Sequence, residues 1–238
     1  MPLAKSSRGI EELVDENSGK EVVATPVVVN RFEDLMKEYE QYFNDTFLRQ
    51  NVEEVLLPCD LNLFLQQTRN YENNPHYQTN TGLFISQLIQ NSYDAGNNEF
   101  VLDVHFLKPI NFLAYNVSGT EERKVRAVVK GEVGNFCMKN AQHSIFTIGT
   151  AGNWCGEDAT YSTFTIEKAG VRCGRRAQHS IFTIEETGDW CGEHAHHSNF
   201  KTHNQQQYEQ FKEYVSRSQD NTLYLLSSTG SILKGGPW

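Results

Sequence analysis

The sequence predicts a mainly β fold: a short parallel β-solenoid with 18-residue coils, preceded by a helical N-terminal region and closed by a C-terminal helical cap. Three observations predict it. AQHSIFTIGTAGNWCGED (141–158), ATYSTFTIEKAGVRCGRR (159–176) and AQHSIFTIEETGDWCGEH (177–194) are successive copies of one unit, and self-similarity at a fixed period marks a repeat architecture. Within each copy Phe and Ile stand two apart, as at Phe146 and Ile148, so they share one face of a strand. Glycine returns twice per copy, at Gly134, Gly152, Gly170 and Gly188 and at Gly156, Gly174 and Gly192, as corners that demand positive φ or close backbone approach require.

The elements follow in chain order. Residues 1–25 are polar and charged without a sustained period and read as a mobile tail. The helical region is 26–96. Over 31–49, Phe32, Leu35, Met36, Tyr39, Phe43 and Phe47 form one apolar stripe. A second helix starts near Asp60 and carries Leu61, Phe64 and Leu65, NNPH (73–76) is a turn, and a third runs from Thr81 to Ser92 before Gly96 ends it. Phe100, Leu102, Val104 and Phe106 then alternate with the period of a strand. The solenoid spans 97–202. RKVRAVVKGEVGNFCMKN (123–140) is its degenerate first copy, placing Val128 below Phe146, and AHHSNFK (195–201) begins a last one. Phe146, Phe164, Phe182 and Phe200 stack as one column, Ile148, Ile166 and Ile184 as another, Ser144, Ser162, Ser180 and Ser198 as a third. A solenoid's ends expose unpaired edges and core, so caps are expected. Residues 203–238 supply one: QQQYEQFKEYVSRS is helical, TLYLLSS (222–228) is a strand, and the end is loose.

At −9 the net charge opposes general nucleic-acid binding, which needs a basic patch. No stretch approaches the roughly 20 apolar residues of a membrane span. The N-terminus has no apolar signal core, so the expectation is a cytoplasmic protein, with its five cysteines reduced. No phosphate loop, zinc-protease or nucleophile-elbow motif occurs, so neither catalysis nor a cofactor is expected.

The run G-x-x-C-G-x-x-A-x-x-S-x-F-T-I resembles the glycine-punctuated repeat of the GXGXG domain, found in the glutamate synthase large subunit and a formylmethanofuran dehydrogenase subunit. The resemblance covers 123–200. It implies a right-handed β-helix acting as scaffold and subunit contact, and hence, as one functional alternative, a non-catalytic subunit of a larger oxidoreductase or amidotransferase complex. The chain departs from that pattern in its Cys before the second glycine and its Ser where glycine is common.

Several constellations have rival readings. Cys137, Cys155, Cys173 and Cys191 fall in one column, as buried reduced thiols first, as disulfides second, as a zinc site last. His179, His194, His196 and His197 are the candidates for a metal site. Lys139, Glu157, Arg175 and Glu193 alternate in sign from coil to coil and favour the register. Trp154, Arg172 and Trp190 suggest a cation–π stack, with a sugar-binding strip as rival. If Phe146 and Ile148 point inward, Ile145, Thr147, Thr163, Thr165, Ile181 and Thr183 form an outward, uncharged patch. Cover by the N-terminal helices is its first reading, a protein partner or second copy the next, and an ice-ordering array the last. The function this predicts is a structural or protein-interaction module, with ligand binding as a further alternative.

Overall fold

The computed structural model describes residues 26–44, 52–216 and 220–237; the expected tail and Phe47 lie outside them. The chain divides into two units, Met1–Gln41 and Tyr42–Trp238. Helix α1 (Pro26–Asn44) runs across that boundary, and in the first unit Leu35 and Tyr39 are buried, as their four-residue spacing on one stripe implies.

In the second unit α2 (Pro58–Gln67) begins with a proline in its first turn and buries Leu61, Phe64 and Leu65. A 3₁₀ turn, Thr68–Tyr71, leads to α3 (Tyr77–Asp94). That helix starts before the expected Thr81 because Tyr77 is itself a core residue, its hydroxyl 3.1 Å from Thr68 Oγ1. Gly96, at φ +109°, ends the segment as expected.

One eight-stranded sheet follows, in sequence order: β1 (Glu99–Asp103), β2 (Val125–Val133), β3 (Ser144–Ala151), β4 (Thr163–Ala169), β5 (Ile181–Thr187), β6 (Asn199–Thr202), β7 (Thr222–Leu226) and β8 (Ile232–Pro237). The first seven pair in parallel and β8 turns back antiparallel. This is the expected solenoid. Phe146, Phe164, Phe182 and Phe200 are in register, each 18 residues on from the last. Their rings stack with centroids 5.5, 4.5 and 5.2 Å apart in a buried column. Helix α4 (Gln205–Val215) lies between β6 and β7 in the chain and closes this end. Asn204 caps it by accepting from the amides of Gln206 and Gln207, and Phe211 meets Phe200 edge-on.

Four expectations need correction. Val128 does not lie below Phe146. The β2 strand carries one extra residue between Val129 and Glu132, so Ala127 takes the Phe column and Val128 points outward. Phe106 is not in the strand, which stops at Asp103, and it is 71% exposed. The C-terminus is not loose: Gly230, at φ +83°, allows the turn that returns β8 along β7. The aromatic stripe of α1, where it enters the second unit, does not cover the Ile/Thr patch. Tyr42 packs edge-on against Phe84 at 5.4 Å and Phe43 stacks on Tyr71 at 6.0 Å. Helix α3 is an end cap, its Gln78 carbonyl accepting from Asn111 N (2.9 Å) and its Ser86 hydroxyl donating to Phe112 O (2.9 Å).

Outside the strands the coils stay hydrogen-bonded by alternating backbone handedness. Trp154, Gly156, Asp158 and Tyr161 have φ of +64°, +66°, +57° and +51°. Trp154 N donates onward to Val171 O, Gly156 N back to Cys137 O, Asp158 N onward to Arg175 O and Thr160 N back to Ala141 O. Successive corner amides thus reach opposite neighbours, which satisfies backbone groups that a coil interior would otherwise orphan.

Candidate functional site

The outward face of the sheet is built by strand alternation, since every residue between two core residues points away from them. One column runs Arg126, Ile145, Thr163, Ile181 and Asn199; the next runs Val101, Val128, Thr147, Thr165, Thr183, Lys201 and Tyr224. All six residues expected to form the patch are therefore brought together. Thr147 and Thr165 are exposed, and Ile145, Thr163, Ile181 and Thr183 are half-buried by their neighbours in the columns. Val101 and Val128 extend the patch, 47% and 42% exposed. Sequence reasoning missed Val128 because the extra residue in β2 shifts the alternation that would have revealed it, and Val101 because β1 lies outside the repeat. From Val101 to Tyr224 the column rises roughly 29 Å, at about 4.8 Å per strand. Charge appears at one margin, where Lys168 meets Glu186 at 4.0 Å and His203 meets Glu185 at 2.5 Å.

Beside the first column stands a second ladder that the sequence reading only half recognised. His143, Tyr161, His179 and His197 stack with ring centroids 5.1, 4.8 and 4.9 Å apart. All four residues have positive φ. A shallow groove between ladder and sheet is lined by Lys124, Tyr161, Thr163, His179 and Ile181. Of the metal candidates, His179 and His197 are neighbours here. Stacked, near-parallel rings do not share one ion as they stand, because an imidazole nitrogen holds a metal in the plane of its own ring. His194 is near Glu193 at the far corner, at 3.8 Å, and His197 near Asp220, at 3.7 Å. His196 is half-buried beside the ladder. Among the described residues no three His, Cys, Asp or Glu side chains converge for a metal.

The four column cysteines are buried free thiols, and Cys59 is an exposed one. The Cys155 and Cys191 thiols on either side, together with burial, hold Cys173 well above the ordinary thiol value. Burial does the same to Cys137, whose Sγ donates to Ile110 O at 3.2 Å. Raised thiols enclosed in a core are poor nucleophiles.

At the opposite corner the alternating charges close into a network. The buried Glu157 carboxylate accepts from Lys139 (2.8 Å), Arg175 (3.0 Å) and Arg176 (3.0 Å), and Arg175 reaches Glu193 at 3.1 Å. The Arg172 guanidinium lies 4.6 Å from the Trp154 ring centre and 5.8 Å from that of Trp190. Its Nε is buried without a hydrogen bond, though the Glu193 carboxylate stands 3.4 Å away. Toward the first coil, Phe136 stacks on Trp154 at 5.7 Å, and Tyr214 of α4 lies against Trp190 at 5.1 Å. Faces occupied by neighbours are not a platform for a sugar ring, which requires an open face. The Ile/Thr sheet face is chemically different: methyl groups and neutral hydroxyls, suited to contact with another flat surface. No helix among the described residues is long and apolar enough to cross a membrane. Compared with protein families, with curated proteins and with solved structures, the chain matches none at a significant level.

Proposed function

We propose that this protein is a non-catalytic β-solenoid module that docks a partner protein on its outward sheet face. One observation carries the reading. Ile145, Thr147, Thr163, Thr165, Ile181 and Thr183, with Val101 and Val128, make a continuous uncharged face, with Thr147, Thr165, Val101 and Val128 open to solvent. Elsewhere the solenoid meets water with charged or ring-stacked corners. The occupant is a protein surface of matching β-branched or aromatic character: the two columns hold no charge between Arg126 and Lys201 with which to grip phosphates. The buried, raised thiols and the satisfied corner carboxylate offer no poised nucleophile or base, which favours a scaffold over an enzyme.

The test replaces Thr165 and Ile181 together by lysine. The expected result is an unchanged melting temperature and circular dichroism spectrum, with loss of the assembly that the unaltered chain forms with its partner in native extracts. An assembly that survives the double substitution would falsify the reading. A large fall in melting temperature would also count against it, because it would mean that the face is covered within the chain.

A further inference from the structure

The later coils turn the ladder corner with one residue each: His143 between Gln142 and Ser144, Tyr161 between Thr160 and Ser162, His179 between Gln178 and Ser180. The first coil spends six there. Ser118 pairs with Gln142 and Val125 with Ser144, so residues 119–124 stand where His143 stands alone one coil on. An insertion into one repeat unit becomes a loop on one face, often the binding face. This loop is held in place. The Tyr93 hydroxyl of α3 donates to Arg123 O (2.6 Å) and accepts from Thr120 N (3.1 Å), and the Arg123 guanidinium lies 4.1 Å from the Tyr93 ring centre. Thr120 Oγ1 in turn accepts from Arg123 N (3.0 Å). So fixed, the loop walls the first-coil end of the groove between ladder and sheet, a hollow of about 490 Å³. Lys124 lines it from the loop, half-buried, and its ammonium has no ion pair or hydrogen bond among the described residues. The Tyr161 and Thr163 hydroxyls and the ring nitrogens of His143 and His179 also line it, and they too have no hydrogen-bond partner among the described residues.

We infer that this groove is a carboxylate site, taking an acidic side chain of the protein docked on the neighbouring sheet face. The inference rests on that docking reading, because Thr163 and Ile181 belong to the groove and to the face alike. The chemistry follows from the lining. A half-buried ammonium is less screened by water than an exposed one, so Lys124 draws an anion into the hollow. The hydroxyls and imidazole N–H groups then donate to the carboxylate oxygens, which are acceptors only. Ile181 offers apolar surface to the methylene stem. Arg126, exposed at the foot of the adjoining column beside Ile145, adds a second cation nearby. Glu121 decides which anion fits. It lines the groove from the same loop and is exposed. Its negative charge opposes a phosphate group, which carries close to two charges at neutral pH. The lining also holds no arginine fork of the kind that grips phosphate in two bonds. A carboxylate brings one charge to one lysine.

Acetate stands in for the acidic side chain and inorganic phosphate for the rival anion. Nuclear magnetic resonance titrations of the full chain, at fixed pH and ionic strength, compare them. Acetate is expected to give saturable shifts confined to Lys124, His143, Tyr161, Thr163, His179 and their neighbours, and to bind more tightly than phosphate. Lys124→Gln is expected to weaken acetate binding at least about tenfold with an unchanged melting temperature, and Lys124→Arg, which keeps the charge, to retain it. Should Lys124→Gln fail to fold, the position and saturation of the shifts in the unaltered chain decide. The titration uses no partner, so it can fail while the Thr165 and Ile181 assembly test succeeds, and the reverse. Shifts that scatter over the surface or do not saturate, acetate binding indifferent to Lys124→Gln, or tighter binding of phosphate overturns the inference.

Discussion

Trp154, Arg172 and Trp190 sit at φ of +64°, +61° and +64°, where a large side chain ordinarily costs on the order of 1–2 kcal/mol. They are tolerated because the left-handed turn aims each amide at the following coil: Trp154 N at Val171 O and Arg172 N at Asp189 O, both at 2.9 Å. Residue-level reading assigned positive φ to glycine, and that holds for Gly156, Gly174 and Gly192, at +66°, +67° and +73°. It failed at Trp154 because nothing in a tryptophan announces a left-handed backbone; the strain is forced by the stack and invisible in one residue. The thiols were more legible, since a strict period plus a small apolar side chain points to the interior. They also set a pH dependence. Neighbouring thiols and burial raise Cys173 well above 9.0, its value in an exposed chain. The folded state therefore keeps a proton that the unfolded state releases. Stability from this source is complete below pH 9 and is lost as pH rises toward the folded value. Thermal melts at increasing pH should show a declining midpoint above pH 9, and Cys173→Ala should make that decline shallower. An unaltered pH profile in the variant would show that the column does not titrate this way.

At the level of the element, strand positions and phase were readable from the two-residue alternation, and coil spacing from the repeat. The extra residue in β2 was not, because 123–140 has the same length as the other copies and hides its shift inside the strand. Ladders joining the elements were visible as columns but not as bonds. The Ser144, Ser162 and Ser180 amides each donate to a hydroxyl one coil on, those of Ser162, Ser180 and Ser198, at 3.1, 3.2 and 3.2 Å. Asn221 closes the series by accepting from Ser198 N at 2.9 Å. The Asn column acts similarly: Asn111 Oδ1 takes Asn135 N (2.7 Å), Asn135 Oδ1 takes Asn153 N (2.9 Å) and Asn153 Oδ1 takes Val171 N (2.8 Å). Asn153 is thus a structural residue. Ser180→Ala leaves the buried Ser162 amide without its acceptor and should cost about 1–3 kcal/mol in urea unfolding. Thr165→Ala on the outer face should stay within about 0.5 kcal/mol. Gly170→Val should reduce soluble yield sharply, for a steric reason in place of the conformational one. A Cβ there meets Asn153 Oδ1 at 2.4 Å and Asn153 N at 2.7 Å. Equal stability of Ser180→Ala and Thr165→Ala, or a soluble, fully stable Gly170→Val, would contradict these assignments.

For the molecule as a whole, the stack behaves as a line of similar coils between two unlike ends. In such arrays stability is nearly a sum of nearest-neighbour terms. The end caps were partly legible, because the amphipathic spacing of α3 and α4 required an apolar surface to cover. Strand β8 was not, since a six-residue segment with two glycines lacks strand periodicity. The repeat itself carries a second, longer period. Side chains of the core recur at every coil, but the corner charges and the Trp–Arg–Trp column recur only at every second one: Glu157, Arg175, Glu193, and Trp154, Arg172, Trp190. The natural unit of extension is therefore two coils. Repeating 141–176 directly after Arg176 preserves every column: Phe on Phe, Glu next to Arg, Trp next to Arg. Repeating 159–176 alone preserves the core but sets one Arg175 against its own copy and one Arg172 against another. Each like-charge contact is inserted between favourable cross-coil pairs and costs about 0.2–1 kcal/mol. Both insertions keep the strand register, so both chains should fold. The two-coil chain should melt at or above the temperature of the parent. The one-coil chain should melt below the two-coil chain, and the gap should narrow in high salt as the repulsion is screened. A one-coil insertion as stable as the two-coil insertion at low salt would show that the corner columns do not contribute to the register, and that the Phe, Ile and Ser columns hold the coils in step alone.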